Sequence, residues 1–120
     1  MKITIQDMKA ALCGTVGEGL FRSFFGEAMD VTYENVLIAF QNLDMMPYAH
    51  YLLKGGGLAN EFSEINERAN RVFLSEMKSA ICSKYDSPFA SKTIVRNHHQ
   101  HLAREFLRLY LELHTGERNG

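Results

Sequence analysis

Apolar residues recur every third or fourth position along most of the chain, a spacing that predicts helices almost throughout. A short extended lead comes first. Thr4 and Asp7 have the form of a capping box, with Asp in place of the usual Glu, and Ile5, Met8 and Leu12 then share one helical face up to Gly14. Thr15 with Glu18 repeats the capping signal. Leu20, Phe21, Phe24, Phe25 and Ala28 form the next stripe, whose first turn Gly17 and Gly19 weaken by about 1 kcal/mol each. Thr32 is placed to cap a third helix with Tyr33, Val36, Leu37, Phe40 and Leu43 on its buried face. Residues 36–40 also fit a buried strand, but the capped start and the spacing favour helix. Pro47 suits the first position of a short helix ending near Leu53, and Gly55, Gly56 and Gly57 stop it and act as a hinge.

Two long helices are expected in the second half. From about 58 to 84, Phe62, Ile65, Ala69 and Val72 keep the helical rhythm, and the seam then steps by one residue to Phe73, Met77 and Ala80/Ile81. Glu64–Arg68 and Glu67–Arg71 are i,i+4 pairs in the favourable order. Asp86 and Ser87 break the chain ahead of Pro88. A helix from 88 to about 114 follows, its seam made by Val95, His99, Leu102, Phe106, Leu109 and Leu113. Ala103, Leu107 and Tyr110 run beside that seam, and residues 115–120 read as a loose tail. The expected fold is therefore all-α: one compact helical domain over 1–120, with two long antiparallel C-terminal helices covered by shorter N-terminal ones.

Composition narrows the class without naming a function. The 120 residues are 46% hydrophobic and 22% charged with a net charge of −1, so no global field steers the protein to nucleic acid or to an anionic membrane. Charge tilts only weakly along the chain: residues 1–60 hold four Lys/Arg and six Asp/Glu, residues 61–120 nine and eight. Cys13 and Cys82 are too isolated for a disulfide framework or a zinc knuckle and, in a reducing compartment, read as small buried hydrophobes. No run of apolar residues approaches the roughly 18 that a membrane span needs, and the N-terminus lacks the apolar core of a secretory signal. A cytoplasmic location is the default expectation.

Chemistry-bearing patterns are few. Asn97, His98, His99, Gln100 and His101 cluster on the last helix, and His98 and His101 have metal-sharing spacing, yet no Glu-x-x-His or His-Glu-x-x-His pattern supplies further ligands. No metal or other cofactor is expected. Lys92, Arg96, His101, Arg104 and Arg108 form a basic strip that suits phosphates, although Glu105 and Glu112 blunt it and no aromatic platform interleaves. A helix-turn-helix around Met8–Phe25 would put Gly17 and Gly19 in the groove-entering helix with few basic residues beside them. The glycine triplet lacks the Lys-Ser/Thr ending of a phosphate-binding loop. Neither Gly-x-Ser-x-Gly nor a carboxylate pair points to catalysis.

One feature exceeds what an ordinary bundle needs. Leu102, Ala103, Phe106, Leu107, Leu109, Tyr110, Leu111 and Leu113 surround most of the last helix, which either is wrapped completely or meets a partner. Tyr48 and Tyr51 are amphipathic residues of the kind enriched at interfaces. The expected function is a non-catalytic, protein-binding one: an adaptor, an assembly subunit, or an inhibitor of a larger machine, as some virus-encoded accessory proteins are. The residues expected to carry it are Tyr48, Tyr51, Arg96, His101, Arg104, Leu107, Arg108 and Leu111, with homodimerisation open. Nucleic-acid binding through the basic strip is the alternative.

Overall fold

The computed structural model describes residues 1–11, 15–54, 56–82 and 88–116. Along them run β1 (Lys2–Thr4), α1 (Ile5–Ala10), α2 (Thr15–Phe25), β2 (Ala28–Asp30), α3 (Tyr33–Asn42), α4 (Met45–Leu52), α5 (Leu58–Cys82) and α6 (Pro88–Thr115). The roles expected of Leu12, Cys13, Gly14, the Thr15 side chain, Gly55, Lys84, Asp86, Ser87 and the tail beyond Gly116 lie outside this description.

Local signals placed several helix starts correctly. The Thr4 hydroxyl accepts the Asp7 N–H at 3.2 Å while the Asp7 carboxylate accepts the Thr4 N–H at 2.8 Å, completing the capping box. The Thr32 hydroxyl accepts the Asn35 N–H at 3.2 Å at the start of α3, so residues 36–40 are helical. Pro47 is the third residue of α4, not the first. It still falls in the opening turn, where no intrahelical partner awaits its missing N–H. Gly56 and Gly57 both adopt positive φ, 58° and 77°, which favours glycine and turns the chain from α4 into α5.

Ala28 departs from its expected place on the α2 stripe. Gly26, at φ 72°, ends α2, and Ala28 enters β2 instead. There the antiparallel register pairs Lys2 with Asp30, Ile3 with Met29 and Thr4 with Ala28. The extended N-terminal lead is thus a strand, and Ile3 and Met29 enter the core.

The long helices form the expected antiparallel hairpin: Phe73 stacks on His98 with ring centroids 4.6 Å apart, and further along Phe62 meets Phe106 at 5.9 Å. At 25 and 28 residues they extend roughly 37 and 42 Å. Phe40 of α3 closes a triangle with Phe62 and Phe106, at 6.0 and 5.8 Å, so three helices share one aromatic centre. The shorter elements cover this end: α3 packs on α6, and α4 on α5. Of the two expected ion pairs on α5, Glu67–Arg71 forms at 2.6 Å, whereas Arg68 Nε donates to the backbone carbonyl of Glu64.

Candidate functional site

The hairpin is longer than the layer that covers it. On α5 the buried residues are Leu58, Phe62, Ile65 and Ala69; among the described residues of α6, burial begins only at Leu102. Between those limits the two helices project as an arm about 20 Å long, judged by helical rise. Val72 and Ile81 were expected on the buried seam, but they are 57% and 66% exposed, and Leu74 beside them is 64% exposed. Phe73, Met77 and Ala80 are half-buried. A seam becomes core only where a further layer covers the pair of helices, and α3 and α4 end short of the arm.

Each residue turns a helix by about 100°, so Val72 and Leu74 point to nearly opposite sides of α5. On the Val72 side lies a cleft of about 320 Å3 lined by Arg68, Val72, Phe73, Ile94, His98 and His101. The other side carries Leu74 and Ile81, in line with Ser63, which holds α4 through a 3.3 Å hydrogen bond to His50 Nδ1. This side of the arm continues the face that α4 covers further down.

The residues singled out from sequence divide three ways. Arg104, Leu107, Arg108 and Leu111 gather with Tyr33 around a shallow hollow of about 480 Å3. His101 reaches the arm cleft, and Arg96 is exposed higher on α6. Tyr48 is 4% exposed and belongs to the core, so its ring does not reach the surface. Tyr51 is half-buried, with the Lys54 ammonium 4.1 Å above its ring. Sequence reading placed Val72 and Ile81 on the buried seam and gave Leu74 no role, so the exposure of all three was missed.

Electrostatics alter the expected basic strip. Arg108 lies 2.7 Å from Glu105 and 3.2 Å from Glu112, and the Glu105 hydrogen bond is the largest cause of its raised pKa. Its charge is locally compensated. Burial, the largest cause, and the nearby charges of His99 and His101 lower the His98 pKa below its ordinary 6.5; burial alone lowers that of His99. The unfolded chain therefore binds more protons than the folded one as pH falls through 6.5. The stability these two histidines contribute is fully present above that pH and is lost on acidification. We expect the urea midpoint to fall between pH 7.5 and 5, and to fall less in a His98→Gln/His99→Gln variant. Equal falls would show that these imidazoles are not the groups responsible.

Among the described residues no group of three or more His, Cys, Asp and Glu side chains converges as a metal site, and no helix is long and apolar enough to cross a membrane. No protein-family model, curated protein or solved structure matches the chain.

Proposed function

We propose that the protein is a non-catalytic binding module that grips another macromolecule, foremost a protein, with the projecting α5/α6 arm. The observation that supports this reading is the coincidence of two features. Among the described residues burial stops at Ala69 and Leu102, and beyond those points Val72, Leu74 and Ile81 stand exposed on the helical pair. Two antiparallel helices alone bury only one stripe each, so apolar side chains on their remaining faces favour a further layer. The hollow beside Leu107 and Leu111 offers a shallower, more open contact of the same kind. Nucleic-acid binding through the strip from Lys92 to Arg108 is less favoured, because Arg108 is already engaged by two carboxylates.

The test is a paired affinity capture from the native host with wild type and a Leu74→Asp/Ile81→Asp variant. Both positions are exposed, so the variant should remain folded, with stability changed by no more than about 1 kcal/mol for the two substitutions together. It should lose the proteins that wild type retains. Identical captured sets would remove the arm from consideration, and turnover of a substrate by the purified chain would end the non-catalytic reading.

A further inference from the structure

We infer that the bare face of the arm bearing Leu74 and Ile81 receives an amphipathic α-helix of a partner protein, apolar on one side and acidic along its flanks. This rests on the arm being the binding element, and it specifies what the arm binds.

The helical form of the occupant follows from what the chain already does with the same face. Ser63, Leu74 and Ile81 lie along one line of α5, and at Ser63 that line is covered by α4. On α6, Val95 and His99 continue the line of Phe106, which at its own level meets Phe40 of α3. Helices of this protein thus pack on the lower half of the face, and the upper half presents similar ridges and grooves that no other described element covers. An extended peptide is a poorer occupant. Its backbone N–H and C=O groups would lie against helices whose own are satisfied internally, whereas a helix brings its hydrogen bonds with it.

Charge selects the flanks. Residues 70–101 contain five Lys/Arg and two Asp/Glu, while the rest of the chain contains eight and twelve. The basic end of the molecule is therefore the arm. Lys78, Lys92 and Arg96 are exposed around the bare face and make no ion pair among the described residues, unlike Arg71 and Arg108. Glu76 is on the cleft side, lining the hollow with Val72. A helix with carboxylates beside its apolar stripe complements this rim, while a basic one is repelled. The aliphatic Leu74 and Ile81 at the centre favour a protein over a nucleic acid.

The full-length protein can be panned against a displayed library of helical peptides about four turns long with randomised surface positions. We expect enriched peptides to carry apolar residues at i, i+3 or i+4, and i+7, and a net negative charge. Their affinity should drop about tenfold or more in Leu74→Asp/Ile81→Asp and in Lys78→Glu/Lys92→Glu/Arg96→Glu, and should weaken as salt rises. Enrichment of neutral or basic helices, or no enrichment, overturns the acidic-helix assignment. If such binders still depend on Leu74 and Ile81, the arm remains the binding element; if they ignore both residues, the two readings fall together. Sedimentation that shows a dimer broken by Leu74→Asp/Ile81→Asp would give the face to a second copy and overturn the assignment. So would binding of RNA, DNA or anionic vesicles that the charge-reversed variant loses while the library yields no acidic helix.

Discussion

Replacement of Phe106 by alanine is expected to lower folding stability by about 3–5 kcal/mol. Phe106 is fully buried, and its ring meets those of Phe40 and Phe62 within 6.0 Å and stacks near Tyr110 at 5.7 Å. Removing it therefore opens a cavity at the one point where α3, α5 and α6 converge. The loss comprises the transfer free energy of the ring and the contacts its neighbours forfeit, since packed helices relax only partly into a void. Such a cost is a large share of the total for a domain of this size. Urea unfolding followed by far-ultraviolet circular dichroism would read it directly. A loss below about 1 kcal/mol would show that the aromatic triangle is not the centre of the core.

The second large effect is expected at Ile3. This residue is 1% exposed on β1, opposite Met29 on β2. An Ile3→Asp variant either buries a carboxylate without a designed partner or sheds β1 from the fold. The second route loses the bond from the Val31 N–H to the Met1 carbonyl and uncovers Met29. Both routes should cost about 3 kcal/mol or more, the sum of lost apolar burial and a desolvated charge. The neighbouring Lys2→Ala change is the control. Lys2 and Asp30 are 3.7 Å apart but both largely exposed, and such a pair contributes about 0–1 kcal/mol. Comparable losses at positions 2 and 3 would contradict the register of the two strands.

Neither variant touches the arm, so together they separate stability from binding. Phe106 and Ile3 report on the covered half of the molecule, whereas Leu74 and Ile81 belong to the uncovered half. With the core and the proposed contact surface this far apart, substitutions at one should leave the other undisturbed.

How much of this was legible beforehand depended on the range of the interaction. Thr4 with Asp7 and Thr32 with Asn35 act over three residues, and local spacing located both caps. The stripe of Phe62, Ile65 and Ala69 was legible for the same reason, as was the Leu102–Leu109 seam. The pairing of Ile3 with Met29 was not, because a three-residue strand carries too little alternation to reveal a partner far along the chain. Tyr48 misled because its composition suits both an interface and a core, and only the packing of α4 decided between them. The basic strip looked continuous on a helical projection, yet Glu105 and Glu112 take up Arg108, while Lys92, Arg96 and Arg104 make no ion pair among the described residues.

Helical periodicity and caps by themselves determined that this chain is a bundle with a long C-terminal hairpin, because backbone hydrogen bonds and apolar stripes are set within a few residues of one another. Where burial ends was decided only by tertiary structure. Ile81 carries the same apolar signal as Phe62 and Ile65, yet it is exposed because α4, which covers its side of α5 at Ser63, does not extend along the arm. Burial is a property of what lies opposite a side chain, and no repeat along a single helix contains that information.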